Sequence, residues 1–170
     1  MVFQLLMNER EAWEQQYHRK GGMWRGSSPL HFEVSRAASI GAEYVLADAT
    51  GLPFREKCFD VVNCSHVLEH LDEEGRKIAS REVLRVLRCG GRLELQAFSV
   101  RDMRCGVGEE VEMCTFRRGD GIQYHYFQDD EVKALFALME MVRLEHRTLM
   151  KRYHGQGMVR DVVQAEFVKR

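Results

Sequence analysis

Four residues that could do chemistry lie at the end of a short apolar run near the middle of the chain, where residues 58–71 read CFDVVNCSHVLEHL. The run from Phe59 to Cys64 predicts a buried parallel strand, and from His66 to Leu71 the apolar residues repeat at helical spacing. Ligands in open α/β sheets bind outside the carboxyl ends of the strands, so this strand end predicts a small-molecule site. Histidine readily accepts a proton at neutral pH, so His66 is either a general base or a residue that caps the following helix or lines the pocket. The other candidate residues of the site are Asn63, Cys64 and Ser65.

The same stretch places His66, Glu69 and His70 in the spacing HxxEH, which occurs in a class of zinc proteases. Such a site needs both histidines on one helix and a third ligand, whereas His66 lies at the predicted junction between strand and helix. A second set of residues matches no common zinc spacing, namely Cys105, Cys114 and His125. We therefore expect no metal site.

A second strand end supplies a carboxylate. Residues 44–47 predict a strand, and Asp48 follows it directly, before the turn-forming residues 51–53. Farther along the chain, residues 72–87 predict an amphipathic helix, and residues 92–98 predict a strand that follows a glycine pair. With the strand of the first motif, this helix and this strand form a right-handed βαβ unit.

The remaining patterns predict three more helices and two closing strands that are compatible with an antiparallel pair. The helices are expected at residues 9–20, 30–40 and 128–138, and the strands at residues 142–149 and 162–168. The loop between the first two helices carries Trp24, which either covers the edge of the core or forms a lid over a ligand. The connection from Ser99 to Tyr126 follows no clear pattern, and a loop of that length in a compact domain is usually functional.

Composition predicts one globular domain over residues 1–170, with N-terminal helices and a lid-like loop at 1–40 and an α/β core at 41–170. The 25 Lys and Arg residues nearly balance the 26 Asp and Glu residues and form no basic block, so charge does not indicate nucleic-acid binding. Five cysteines without CxxC pairs are typical of reduced thiols in the cytoplasm. The N-terminal apolar run is too short to cross a membrane. We expect a cytoplasmic protein without membrane segments.

Three motifs of the chain occur in the order found in one enzyme family. They are YVLADATGLPF at residues 44–54, FDVVNCSHVLEH at 59–70 and REVLRVLRCGGRLELQAF at 81–98. With these motifs the chain resembles the class I S-adenosylmethionine-dependent methyltransferases of the type 11 kind, over roughly its C-terminal three quarters. The resemblance implies a Rossmann-like methyltransferase sheet of about five strands with an antiparallel last pair, and methyl transfer from S-adenosylmethionine to a small-molecule acceptor.

The resemblance also implies roles for single residues. Asp48 would accept a hydrogen bond from the adenine amino group, Ala49 would supply a backbone contact, and Leu52 would pack near the adenine ring. The residues placed beside the methionine part of the cofactor and the acceptor are Asn63, Cys64, Ser65 and His66. The segment YHYF at residues 124–127 is similar to a loop of family members that closes over the substrate, so Tyr124, His125 and Tyr126 are expected to contact it. Trp24 would contact the substrate if its loop forms a lid.

The N-terminal part of the chain departs from the family. The family's glycine-rich turn should follow a first strand, but the glycines before Tyr44 are at positions 21, 22, 26 and 41, and none follows a predicted strand. The first helix and the second strand are missing as well. We therefore predict a truncated sheet, in which a segment between Ser28 and Gly41 has been lost relative to the family.

Two arrangements of the shortened sheet are open. The strands can keep the family positions, leaving edges that a second copy of the chain or another partner covers. Alternatively, the strand at 44–47 pairs directly with the strand at 59–64. Because the glycine turn is missing, a catalytically inactive protein that acts by binding a partner, or by self-association, is the alternative function.

Overall fold

The structure is a computed structural model, and it describes residues 4–5, 46–153 and 155–170. The strands are β1 Gln4–Leu5, β2 Leu46–Ala47, β3 Phe59–Ser65, β4 Leu87–Phe98, β5 Glu109–Glu112, β6 Thr115–Arg117, β7 Gln123–His125, β8 Met139–Tyr153 and β9 Gln156–Lys169. The helices are α1 Glu73–Val86 and α2 Asp129–Leu135, and a 3₁₀ turn spans Leu68–His70. The helices and the loop predicted for residues 9–40, with Trp24, lie outside the described residues.

The main sheet has the strand order β3-β4-β9-β8. β3 and β4 are parallel and are joined by α1, whereas β9 runs antiparallel to both β4 and β8. This confirms the predicted α/β class and its closing antiparallel pair. β8 and β9 form a hairpin longer than predicted, because ladder pairing continues from Met139–Lys169 to Tyr153–Gln156, beyond the apolar residues that carried the prediction.

One face of the main sheet forms the core. Val62 on β3, Leu93 and Leu95 on β4, and Phe167 on β9 are all buried, and each such side chain contributes about 1.5–3 kcal/mol when fully removed from water. The intervening residues of these strands point to the opposite face, where Glu94 and other polar side chains lie exposed. The alternation predicted from the sequence of β4 is therefore present in the fold.

Helix α1 begins one residue after the predicted start and ends one residue before the predicted end. The carboxylate of its N-cap, Asp72, accepts a hydrogen bond from the backbone N–H of Gly75 at 2.7 Å. A Cβ atom at Gly75 would lie 2.8 Å from Asp72 Oδ1, so glycine allows the cap to close. The helix passes directly into β4, and Gly90 sits inside that strand with a φ of +76° instead of forming a separate turn.

The strand β2 pairs with β1, near the N-terminus. The two strands are parallel, with Gln4 opposite Leu46 and Leu5 opposite Ala47. Neither strand belongs to the ladder of β3 in the described part of the chain. The predicted alternative in which residues 44–47 pair directly with residues 59–64 is therefore wrong, because the N-terminal segment supplies the partner strand.

Two other predictions are corrected. The helical spacing of residues 66–71 yields only the 3₁₀ turn Leu68–His70, because Asp72 starts the next helix so soon after it. The unassigned segment 99–126 contains all three strands of a second sheet, with the order β5-β6-β7 and antiparallel pairing throughout. The helix predicted at residues 128–138 is confirmed as α2 but ends earlier, at Leu135.

Over the part of the chain that is described, no helix is long and apolar enough to span a membrane.

Candidate active site

His66 follows the last residue of β3 and has a backbone φ of +55°. This left-handed conformation costs a residue with a side chain about 1–2 kcal/mol. The turn is held by the backbone N–H of His66, which donates to the carbonyl of Gln96 at 2.8 Å. Strained backbone of this kind often occurs at functional sites. It directs the imidazole away from the core, onto the ring of Phe98 at a centroid distance of 4.6 Å.

A chain of hydrogen bonds fixes the tautomer of His66. Gln164 Nε2 donates to Gln96 Oε1 at 2.7 Å, which leaves the amide nitrogen of Gln96 to donate to His66 Nε2 at 2.9 Å. The imidazole then donates from Nδ1 to Glu69 Oε1 at 2.6 Å. Nε2 is therefore the basic nitrogen of the ring, and a fixed carboxylate stands behind it.

Glu69 is completely buried, and no described residue forms a hydrogen bond with its second oxygen, Oε2. Burial alone would raise the pKa of this carboxyl group, but the charges of His66 and His70 and the hydrogen bond from His66 outweigh it and lower the pKa. For His70, burial is the dominant effect: it lowers the pKa of the imidazole and favours the neutral ring. Its Nδ1–H donates to the carbonyl of Gln123 at 3.0 Å. The two histidines of the HxxEH spacing thus have different partners.

The described residues contain no group of three histidine, cysteine or acidic side chains that could hold a metal ion. His66 lies on the strand side of the 3₁₀ turn and His70 at its end, so they do not share a helix face as the zinc-protease motif requires.

Asp48 lies exposed at the carboxyl end of β2, at the start of a tight turn. Its Oδ1 accepts hydrogen bonds from the backbone N–H and the hydroxyl of Thr50, at 2.8 and 2.7 Å. Both bonds fall on the same oxygen, so Oδ2 has no partner among the described residues and is accessible from solvent. The turn presents a carboxylate in a fixed orientation.

The loop after Asp48 is tied to helix α1 by an acid and a base one turn apart. Glu82 Oε2 accepts from the backbone N–H of Leu52 at 2.8 Å. Arg85 donates to the carbonyls of Leu52 and Phe54 at 2.9 and 2.7 Å and bonds to Glu82 itself at 2.7 Å. These bonds satisfy backbone groups that no strand pairs with, and they hold the loop rigidly against the core.

Three of the predicted cofactor residues line one apolar cavity. Ala49 and Leu52 meet Cys64 there, below the loop and above α1. Burial raises the pKa of the Cys64 thiol to about 12, and the nearby charge of Glu69 adds to the shift. Because side chains alternate along β3, Cys64 points into the core, whereas Asn63 is exposed on the other face and its amide lies 3.4 Å from Glu94. Ser65 ends the strand, half-buried.

Arginines and aromatic rings surround the outer side of His66. The ring of Phe98 lies 6.0 Å from that of Tyr126 between centroids, and the guanidinium of Arg160 covers Phe98 at 4.5 Å. The hydroxyl of Tyr126 accepts a hydrogen bond from Arg118, whose guanidinium lies 3.8 Å above the ring of Tyr124. These residues come from β4, β7, β9 and the loop after β6, and they form a continuous aromatic wall beside the histidine.

The three residues predicted to contact the substrate from β7 onward occupy different environments. Tyr124 is half-buried and packs edge-on against His70 at 4.9 Å. Tyr126 is fully buried, and burial raises its pKa to about 12. His125 points inward and bonds to Thr115 Oγ1 and Glu131 Oε2, at 2.7 and 2.8 Å. Its substrate role stays a prediction, and the observed contacts tie the small sheet to α2.

Sequence reasoning did not single out several residues of this site. Glu69 was considered only as part of the zinc spacing, although its position three residues after His66 is a signal for a histidine–carboxylate pair. Gln96 and Phe98 alternate with core residues at the end of β4, which could have placed them on the site face. Arg118 and Arg160 carry no such signal, because their approach depends on how the second sheet and β9 fold over the first.

The chain matches the family model described as a methyltransferase domain over residues 28–95. It is 38% identical over 66 residues to a ubiquinone/menaquinone biosynthesis C-methyltransferase of Xylella fastidiosa (strain M12), covering 39% of this chain and 25% of that protein. It is 40% identical over 63 residues to an uncharacterised methyltransferase of Mycobacterium sp. (strain KMS), covering 37% and 24%. The match therefore spans about a quarter of these curated relatives.

Solved structures resemble a larger part of the chain. A SAM-dependent methyltransferase from Methanosarcina mazei aligns with a TM-score of 0.62 at 22% identity, covering 85% of this chain and 80% of that one. A Burkholderia thailandensis 1,6-didemethyltoxoflavin-N1-methyltransferase, solved with its substrate and S-adenosylhomocysteine, aligns with a TM-score of 0.54 at 15% identity, covering 85% and 59%. The chain therefore has the fold of the class I S-adenosylmethionine-dependent methyltransferases, and its residues 28–95 carry the sequence signature of the methyltransferase domain.

Proposed function

We propose that this protein transfers a methyl group from S-adenosylmethionine to a small-molecule acceptor. The observation that carries the proposal is the rigid turn at Asp48, which presents an oriented carboxylate within the segment that matches the methyltransferase domain. His66 and its carboxylate partner stand at the carboxyl end of β3, where α/β sheets bind ligands.

The residues present fit the adenosine part of this cofactor. Asp48 Oδ2 can accept a hydrogen bond from an exocyclic amino group, since Thr50 occupies only Oδ1. Ala49 and Leu52 supply apolar surface beside it. Asn63 and Ser65 would contact the methionine part by their side chains, and the inward-pointing Cys64 by its backbone. When bound, the cofactor supplies an electrophilic methyl group on a sulfonium.

His66 would act on the methyl acceptor. Its Nδ1–H is held by Glu69, so an acceptor hydroxyl or amine that replaces the Gln96 amide at Nε2 would give its proton to that nitrogen. Tyr124 and Phe98 would position the acceptor and keep water away from it, which methyl transfer requires. Trp24, His125 and Tyr126 remain predicted substrate residues.

Calorimetric titration with S-adenosylmethionine tests the proposal. We expect the wild-type protein to bind with a dissociation constant of about micromolar order, and Asp48→Asn to bind about tenfold more weakly, because one hydrogen bond to a charged group is lost. The matched control is Asp60→Asn, which removes an exposed carboxylate at the other end of β3, 2.8 Å from Arg88. No binding at millimolar ligand, or equal losses for both variants, would contradict the proposal.

The second candidate function is partner binding through exposed strand edges. β3 pairs only with β4 among the described residues, and β2 pairs only with β1. Unpaired edges recruit other strands, so we propose that a second copy of the chain covers one of them. Light scattering at increasing protein concentration measures this. A strictly monomeric species would rule out self-association, and a dimer that does not bind S-adenosylmethionine would favour the non-catalytic function.

The cysteines support a cytoplasmic location. All five are free thiols, and they range from buried Cys64 to exposed Cys89. Reduced thiols persist in reducing compartments, which is the reason for placing the protein there.

A further inference from the structure

We propose that Arg118 binds an anionic group of the methyl acceptor, so that the substrate is a small carboxylate-bearing molecule. This inference rests on the proposed methyl transfer and names the substrate class for the same site. It depends on the partners of Arg118, on the rigidity of its position, and on its connection to His66.

Arg118 differs in its partners from Arg76, Arg85 and Arg160, which are also buried or half-buried. Arg160 has its Nε 3.0 Å from the fully buried carboxylate of Asp102, and Arg76 lies 3.4 Å from Glu112 and 3.5 Å from Glu131. Arg85 is paired with Glu82 at 2.7 Å. Among the described residues, Arg118 has no carboxylate partner and its buried Nε has no hydrogen-bond acceptor.

A buried guanidinium donor without an acceptor is costly, because folding removes it from water without replacing the lost hydrogen bond. The planar guanidinium presents its donors in a fixed arrangement that matches the two oxygens of a carboxylate. A ligand carboxylate bound to the guanidinium would supply the counter-charge that no carboxylate of the described residues provides.

The side chain is held in place before any ligand arrives. Its guanidinium stacks on the ring of Tyr124 at 3.8 Å, and one terminal nitrogen donates to the hydroxyl of Tyr126. Such stacking on an aromatic face is attractive and restricts the rotamers of the arginine. Binding an anion there therefore costs little conformational entropy.

The aromatic wall connects Arg118 to the candidate base. From Tyr126, which Arg118 contacts, the wall continues to Phe98 at 6.0 Å and from Phe98 to His66 at 4.6 Å between ring centroids. Tyr126 itself is fully buried, so an acceptor would lie along the half-buried rings of Phe98 and Tyr124, with its anionic end at Arg118 and its nucleophilic atom near His66 Nε2. The distance spanned by two adjacent rings is compatible with a small organic acid.

Two anions have the required chemistry, the carboxylate of the acceptor and the methionine carboxylate of the cofactor. The test uses benzoate as the probe anion and benzamide as its neutral counterpart, both measured by ligand-observed NMR in the presence of S-adenosylhomocysteine. S-adenosylmethionine affinity is measured separately by calorimetry. The variants are Arg118→Gln and Arg118→Lys, with Arg117→Gln as the matched control, because Arg117 is the neighbouring, exposed arginine 4.0 Å from Glu109.

We expect benzoate to bind the wild type and Arg117→Gln at least about tenfold more tightly than benzamide. Arg118→Gln should lose this preference, Arg118→Lys should keep part of it, and S-adenosylmethionine affinity should stay within about twofold in all variants. Equal binding of benzoate and benzamide to the wild type would overturn the inference. A loss of S-adenosylmethionine affinity in Arg118→Gln would also overturn it, by assigning the arginine to the cofactor. If the wild type fails to bind S-adenosylmethionine, the proposed function fails, whereas the benzoate preference is read independently.

Discussion

Substitution of His146 by glutamine should destabilise the protein by an amount that depends on pH. His146 on β8 links two carboxylates, with Nδ1 2.6 Å from Asp161 Oδ1 and Nε2 2.8 Å from Asp129 Oδ1. Asp161 also accepts a hydrogen bond from the hydroxyl of buried Ser99, and Arg101 lies 3.8 Å from Asp129. The cluster joins the interiors of β8 and β9, and the residue that follows β4, to the start of α2.

The sign of the pH dependence follows from the charge of the imidazole. Burial would lower the pKa of His146, but the hydrogen bonds and charges of Asp161 and Asp129 outweigh it and raise the pKa above its ordinary value. A raised folded-state pKa means that the extra stability is fully present below the unfolded-state value of about 6.5 and is lost as pH rises through the folded-state value.

The size of the effect follows from the two bonds. A hydrogen bond to a charged group contributes about 1.5–3 kcal/mol. The bond to Asp161 is largely shielded from water, whereas the Asp129 side chain is 35% exposed, so its bond is weakened by solvent screening. Glutamine can replace one neutral hydrogen bond, so we expect a loss of about 2 kcal/mol at pH 5.5, falling below about 1 kcal/mol at pH 9.

Urea unfolding at pH 5.5, 7 and 9, at constant ionic strength, measures the free energy of unfolding of both proteins. His70→Gln serves as the control with the opposite sign. Because the pKa of buried His70 is lowered, the wild type loses stability by protonating it at low pH, and the variant does not. A wild-type advantage over His146→Gln that is equal at all three pH values would refute the reasoning.

Two further predictions concern the strand end at residues 64–66. Replacing His66 by glycine should destabilise the protein by about 1 kcal/mol less than replacing it by alanine, because glycine adopts the φ of +55° without strain, whereas both variants should lose methyl transfer; equal unfolding free energies would argue against strain at this turn. Burial raises the pKa of Cys64 to about 12, so a disulfide reagent at pH 8 should label exposed Cys89 quickly and Cys64 only after unfolding. Rapid labelling of Cys64 in the native protein would contradict the buried position, and Cys64→Ser identifies its signal.

The sequence by itself determined the elements that local patterns control. The amphipathic spacing between residues 72 and 87 predicted α1 to within one residue at each end. The alternation in the first half of residues 92–98 predicted a strand there, and the resemblance of the motifs to the family implied the methyltransferase fold. The helix and strand patterns depend on neighbours within a few positions, so they can be recognised directly in the sequence.

Tertiary structure alone decided which distant residues meet. The partner of β2 is a strand about forty residues earlier in the chain, and the anchors of the Asp48 loop, Glu82 and Arg85, lie on a helix about thirty residues later. The guanidinium of Arg118 reaches the aromatic wall only because a short sheet, unrecognised in the sequence, folds against the 3₁₀ turn. Side-chain charge, burial and hydrogen bonding depend on such long-range contacts, which no local spacing encodes. The strand-end residues of the site could therefore be predicted from the sequence. The carboxylate partner of His66, the arginines and the orientation of His66 became known only from the fold.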